Sequence, residues 1–259
     1  MNKIRFGICG SGHLATIVAN CWLNGMLEEY ELVGIYGRNQ ETCKALADKC
    51  NVKCCSSIDE LLALDIEIIA EACGIAFLKE HLKTILNAKI NIVCISIGAF
   101  ENEAFRLECE ALASTNNVKI YIASGAVGGF DVLQTISLMD KCNAVMCTQK
   151  GPKSLRNTSL YNDNLLNNER VVFSGLASEA IEILPTKVNV SIANSLASVG
   201  PNKLNFHIIS TPGFIGDDHK MTCYADGLKA TIDVYSATSD IAGYSIVRVL
   251  KNRVATFVF

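Results

Sequence analysis

The residues that could do chemistry begin close to the start of the chain, with Gly10-Ser11-Gly12-His13-Leu14-Ala15. A G-x-G-x-x-A spacing suits the pyrophosphate of a dinucleotide when a strand precedes it and a helix follows. Gly10 would permit the tight turn, Gly12 would let the backbone approach the phosphates, and the small Ala15 would let helix and strand pack closely. The N–H groups that open the helix, from Leu14 onward, add a partial positive charge. His13 either touches phosphate or is an ordinary exposed loop histidine. Further on, the second expected strand ends in Tyr36-Gly37-Arg38-Asn39, with no carboxylate where an NAD enzyme usually holds the adenosine ribose. Arg38 can pair with a 2′-phosphate, which favours NADP and still admits NAD; a solvated surface arginine is the other reading. Two further turns, Cys73-Gly74 and Ser96-Ile97-Gly98-Ala99, end expected strands. Their small residues would let ribose and nicotinamide come close, or they are simple strand-to-helix turns.

These motifs need a sheet to hold them. Apolar runs predict strands over 3–9, 31–36, 52–54, 66–71, 91–96 and 119–122, and helical periodicity marks 40–50 and 77–88. Such alternation predicts an α/β fold whose first domain, residues 1–123, is a Rossmann-type, doubly wound parallel sheet. After residue 124 the pattern changes to strands over 203–210, 221–224 and 228–235 with helices over 177–184 and 189–199. This predicts a second, smaller α/β domain with a mixed sheet over 124–239. The amphipathic stretch 240–251 is expected to return to the first domain. Residues 157–168, crowded with Asn, Ser and Asp, read as a loop near a site.

Composition narrows the function. Half of the 259 residues are hydrophobic and 19% are charged, which fits a packed core and not a disordered chain. Basic and acidic residues number 23 and 26 with no basic run, so no nucleic-acid partner is expected. The apolar runs are far shorter than the roughly 20 residues of a membrane span, and the N-terminus lacks the pattern of a secretory signal, so a cytoplasmic protein is expected. Twelve cysteines lie largely within apolar runs without a Cys-x-x-Cys pair, which predicts reduced core residues and no metal site.

The second half carries a resemblance. Ser124-Gly125-Ala126-Val127-Gly128-Gly129-Phe130-Asp131, Lys150-Gly151-Pro152, Phe173-Ser174-Gly175-Leu176-Ala177-Ser178-Glu179-Ala180, Pro185 and Val188-Asn189-Val190 resemble the L-aspartate dehydrogenase family. So does Glu71-Ala72-Cys73-Gly74 with Glu80-His81 downstream. The resemblance covers nearly the whole chain in the family's order. It implies a Rossmann domain joined to a smaller α/β domain, usually in a homodimer. It also implies oxidation of L-aspartate to iminoaspartate with NAD or NADP, reversible as reductive amination of oxaloacetate with ammonia, feeding de novo NAD synthesis. Within the family's motifs, Ala126 and Asn189 match positions associated with the cofactor, and His219 matches the catalytic histidine.

The residues tolerate these roles. Asn189 could serve the carboxamide or ribose of the cofactor, or simply cap the helix that begins there. His219, between a Gly/Asp-rich loop and an expected strand, reads as a presented side chain with a pKa of about 6.5, which Asp217 and Asp218 would tend to raise. It would take the proton that the substrate ammonium must lose before hydride leaves Cα. Candidates to hold the substrate carboxylates are Lys150, Lys153 and Lys187. Two departures from the family bear on substrate choice. Lys187 replaces an Asn, and an Asn-Pro-Lys-Thr element appears only as Ala237-Thr238-Ser239, where Thr238 and Ser239 could bind a carboxylate or cap a helix. Oxidoreduction of another small amino or keto acid, and a non-catalytic NADP-binding sensor, are the alternative readings.

Overall fold

The computed structural model describes residues 3–184 and 189–259. Contacts divide the chain into two compact units, residues 1–123 with 242–259 and residues 124–241. The first unit contains β1 (Ile4–Cys9), α1 (His13–Leu23), β2 (Tyr30–Tyr36), α2 (Gln40–Cys50), β3 (Lys53–Cys55), α3 (Ile58–Leu62), β4 (Ile68–Glu71), α4 (Ile75–Asn87), β5 (Asn91–Cys94), α5 (Glu103–Thr115) and β6 (Ile120–Ile122). Its strands are parallel, in the order β3-β2-β1-β4-β5-β6. This is the doubly wound Rossmann order expected of the sequence, and it reverses direction between β1 and β4, where open α/β sheets bind ligands at their carboxyl ends.

Local chemistry fixes these elements. All four residues of β4 are buried, as a strand covered on both faces requires. In α4, Leu78, Leu82, Ile85 and Leu86 form the buried stripe. Asn39 accepts from Thr42 N to cap α2, and Asn51, left-handed at φ 54°, ends it. Helix α5 gave no clear periodic signal because its fully buried stripe is only Cys109 and Ala113.

The second unit contains α6 (Phe130–Ser137), β7 (Asn143–Lys150), β8 (Arg170–Leu176), α7 (Ala177–Ile183), α8 (Asn189–Leu196), β9 (Asn205–Ser210), β10 (Asp217–Ala225) and β11 (Leu228–Ser236). Its sheet has the order β11-β10-β7-β9-β8, with β7 and β9 parallel and the other pairs antiparallel. One face is buried through Met146, Thr148, Phe206, Ile208, Ser210, His219 and Met221. Helix α8 meets that face through Asn194, whose Nδ2 donates to Met146 Sδ at 3.4 Å. Gly129 at the start of α6 is so close that an added Cβ would fall 2.7 Å from Ile232. The opposite face is more open and carries Lys220, Tyr224, Asp233 and Tyr235.

Three expectations change here. Strands β7 and β8 were not anticipated, because their polar Thr, Gln, Lys and Ser residues obscure the apolar signal. Strand β10 begins at Asp217, not at residue 221, because full-length pairing with both β7 and β11 draws the polar segment Asp217-Asp218-His219-Lys220 into the sheet. His219 therefore sits inside a strand and not beside a loop. Helix α8 ends at Leu196, short of the expected 199. Residues 157–168 form no α-helix or strand, only a short 3-10 turn over Asp163–Leu166.

The last helix, α9 (Asp240–Val254), belongs from Ala242 onward to the first unit. Ile246, Val247 and Leu250 join Phe6, Val18, Leu27 and Tyr30 in one core. Tyr30 is fully buried, lies edge-on to Phe6 at 5.7 Å, and its hydroxyl donates to Leu250 O at 2.7 Å. Among the described residues no helix is long and apolar enough to cross a membrane. Replacing Tyr30 by Phe should cost about 1 kcal/mol of stability, the net worth of one buried hydrogen bond, measured by urea unfolding.

Candidate active site

The glycine loop follows β1 directly. Gly10 has φ 128° and its N–H donates to Tyr36 O at 2.7 Å. A Cβ here would stand 2.6 Å from Ala72 O, so only glycine fits. Gly12 leads into α1 in extended backbone, without a side-chain cap, and no acidic residue stands in the first turn. Nothing lies within 4 Å of where a Cβ on Gly12 or Gly74 would be. An uncapped helix N-terminus with no acid near it and open space above its glycine fits an anionic pyrophosphate. His13 is exposed, Leu14 half-buried, and Arg38 exposed at the end of β2. Ser11 Oγ and Thr42 Oγ1, 2.8 Å apart, tie the glycine loop to α2.

The anchor of this region is Glu71, quoted in the sequence only as part of a motif. It ends β4 and is fully buried. Its Oε1 accepts from Cys73 N at 2.8 Å, Gly74 N at 3.1 Å and Ser96 Oγ at 2.7 Å. Its Oε2 accepts from Ile95 N and Ser96 N, both at 3.1 Å. One carboxylate thus fixes the turn after β4 and the turn after β5. Burial, and next the nearby Glu71 carboxylate, push the half-buried Cys73 thiol up to about 12, so Cys73 stays a neutral neighbour and not a nucleophile. Beyond that motif, the sequence signal for Glu71 is an acid closing the run Ile68-Ile69-Ala70, where burial without partners would be costly.

In the second unit, Gly125 is left-handed at φ 66° just before the half-buried Ala126. Asn189 is the first residue of α8 and half-buried. His219 is only 5% exposed and its Nδ1 lies 2.9 Å from Thr148 Oγ1, its register partner on β7. Burial lowers its pKa to about 4; Asp217 opposes this and Lys150 adds to it. The expected presented, readily charged imidazole is corrected to a buried one that is neutral at neutral pH, because desolvation outweighs the neighbouring carboxylate. Asp218 points to the opposite sheet face, against Tyr235 in register.

Of the lysines, Lys150 lies on β7 with Nζ 3.1 Å from Asp217 Oδ1, and Lys153 is exposed. Lys187 lies outside the described residues. Thr238 Oγ1 accepts from Asp240 N at 3.3 Å at the start of α9, the capping alternative, and Ser239 is exposed. Gly10, Gly12, His13, Leu14, Arg38, Cys73 and Gly74 thus gather at the carboxyl ends of β1, β2 and β4, while Ala126, Asn189 and His219 belong to the second unit.

A Rossmann sheet with an intact glycine loop, joined to a mixed-sheet unit, defines an NAD(P)-dependent oxidoreductase. Residues 10–123 match the family model "Homoserine dehydrogenase, NAD binding domain", and residues 131–253 match "Aspartate dehydrogenase, C-terminal". The chain is 29% identical over 261 residues to an L-aspartate dehydrogenase of Methanococcus maripaludis, covering 96% of both chains. It is 28% identical over 260 residues to that of Methanocaldococcus jannaschii, again covering 96% of both. The crystal structure of an aspartate dehydrogenase from Thermotoga maritima matches with a TM-score of 0.80 at 25% identity, over 99% of both chains. An amine dehydrogenase from Mycobacterium smegmatis shares the fold at a TM-score of 0.61 and 14% identity, over 98% of this chain and 93% of that one. Over nearly its whole length the chain is thus similar to L-aspartate dehydrogenases.

Two outcomes follow from this geometry. Glu71→Gln turns an amide NH2 toward backbone N–H donors; stability in urea should fall by about 3 kcal/mol and cofactor affinity by about tenfold or more. For His219, the unfolded imidazole binds a proton near 6.5 and the folded one only near about 4. Stability is therefore full above the higher value and lost as pH falls across this window. His219→Gln should remove that part of the pH dependence in urea titrations.

Proposed function

We propose that this protein oxidises L-aspartate to iminoaspartate with NADP or NAD and, in reverse, forms L-aspartate from oxaloacetate and ammonia. The observation that carries the reading is the buried, neutral His219. An amino acid carries an ammonium at neutral pH, and hydride cannot leave Cα until that nitrogen has lost a proton. A neutral imidazole can accept it. With its own proton on Nδ1, donated to Thr148 Oγ1, the ring presents the Nε2 lone pair as the base. In reverse, Nε2–H returns the proton.

The nicotinamide, when bound, accepts or supplies the hydride. To hold the cofactor we assign the N–H groups around Gly12, His13 and Leu14 to the pyrophosphate, with Gly10 setting the turn and the His13 side chain beside it. Arg38 serves the 2′-phosphate, and the turn at Cys73 and Gly74 the ribose and nicotinamide. Ala126 and Asn189 keep the cofactor roles that the family resemblance implies. Iminoaspartate made here would feed de novo NAD synthesis. The free thiols fit a reducing, cytoplasmic location. The open face of the second unit's sheet, where Tyr224 and Tyr235 are exposed, suits a homodimer.

The departure at Ala237-Thr238-Ser239 favours, as a second reading, turnover of another small amino or keto acid. A panel of such acids assayed with both cofactors in both directions decides between them; turnover with aspartate at a rate no higher than with alanine would overturn the first. The alternative of a non-catalytic NADP-binding sensor gains no support from Cys9, Cys43, Cys55, Cys73 and Cys94, whose thiols burial holds protonated. His219→Ala should lower kcat by about 10²–10⁴-fold while cofactor affinity, read by calorimetry, stays unchanged. Arg38→Ala should raise KM for NADP about tenfold and leave KM for NAD in place.

A further inference from the structure

The buried face of the second unit's sheet carries a polar row next to His219. In register, Asp217 pairs with Lys150 and Lys150 with Ser210, across β10, β7 and β9. The neighbouring row on the same face is His219, Thr148 and Ile208. Residues two apart along a strand share a face and are separated by about 6.6 Å, roughly the span of a small amino acid.

The Lys150 side chain is 12% exposed, and Asp217, 41% exposed, is its ion-pair partner. Asp217 Oδ1 stands 3.1 Å from Nζ yet accepts no hydrogen bond, so the ammonium keeps donors for another acceptor. Ser210 is fully buried and its Oγ has no hydrogen-bond partner. A hydroxyl in that condition is rare in a folded protein and is open to a partner such as a ligand oxygen or a water. An ammonium and an unsatisfied hydroxyl side by side, one row from the imidazole, present donors suited to an oxygen anion. The oxygen pair of a carboxylate can take a donor on each atom.

We propose that Lys150 and Ser210 form the subsite for a carboxylate of the substrate, with Asp217 as the positioning residue that holds Lys150. The proposal rests on the reading of the protein as an oxidoreductase of a small acidic amino acid and adds to it the residues that recognise the acid. Lys150 then anchors the charge, Ser210 orients the carboxylate plane, and His219 in the next row meets the amine. The row belongs wholly to the second unit, so the cofactor does not depend on it.

The probes are oxaloacetate and succinate, with binding measured by calorimetry on the full chain and succinate also measured as an inhibitor of aspartate oxidation. Lys150→Met should weaken both acids and raise KM for aspartate at least about tenfold, with NADP affinity unchanged. Ser210→Ala should weaken them severalfold while the melting temperature stays the same or rises, since the change deletes an unsatisfied buried group. That combination separates a binding role from a structural one. Asp217→Asn should weaken succinate binding, and Asp217→Glu should restore it. Should Lys150→Met not fold, Lys150→Gln, which removes the charge and keeps a polar head, and Ser210→Ala carry the test. Acid binding in Ser210→Ala and a folded Lys150 variant equal to that of the original chain would overturn the proposal. So would a loss confined to Asp217→Asn, which would give the row to the substrate ammonium. If aspartate is not oxidised yet the acids bind and these variants lose them, the subsite stands and only the reaction assigned above fails.

Discussion

The nucleotide-binding end of this protein depends on one buried carboxylate. Glu71 lies at the end of a strand covered on both faces, and a charge there is tolerable only because five donors converge on its two oxygens. Those donors belong to the turns that follow two neighbouring strands. The carboxylate therefore links the shapes of both turns, and the opening at Gly74 follows from that link. Gly10, wedged against the carbonyl of Ala72, ties the glycine loop to the same place. Phosphate loop and strand-end turns form one rigid assembly because their backbone groups are shared, and rigidity of this kind lowers the cost of ordering a ligand.

The second unit treats its buried titratable group in the opposite way. Glu71 has enough donors to satisfy both oxygens, whereas His219 has Thr148 on one nitrogen and burial that its charged neighbours do not offset, so the neutral form prevails. In the reading proposed above, the neutral ring has a lone pair to offer an ammonium, while the desolvation that keeps it neutral also makes it a weaker base than a solvated histidine. The same strand pairing that buries His219 sets its row beside Lys150 and Ser210, so position and proton affinity have one cause.

The final helix shows how a segment remote in sequence completes a core. Leu250 and its neighbours pack on Phe6 and Tyr30, and the tyrosine hydroxyl ends on a helix carbonyl. The buried cysteines serve the same packing economy, since a protonated thiol behaves as a small apolar group.

Much of the first unit was legible in the sequence, since parallel strands covered on both faces are continuous apolar runs and a glycine loop has a fixed spacing. Strands 3–9 and 66–71, helix 40–50 and the loop at Gly10 and Gly12 followed from such local patterns. The second unit was read less well. Its strands β7 and β10 are half polar, and their pairing depends on partners dozens of residues away, so no local pattern marked β7 and only residues 221–224 of β10 were marked. Resemblance could point to His219, but its burial, its bond to Thr148 and its depressed pKa arise only when β7 and β10 meet. Glu71 and Ser210 likewise were ordinary polar letters. Sequence determined which residue types were available and where the regular elements of the first sheet lay; tertiary structure alone decided which polar groups are desolvated together, because desolvation belongs to a neighbourhood and not to a residue.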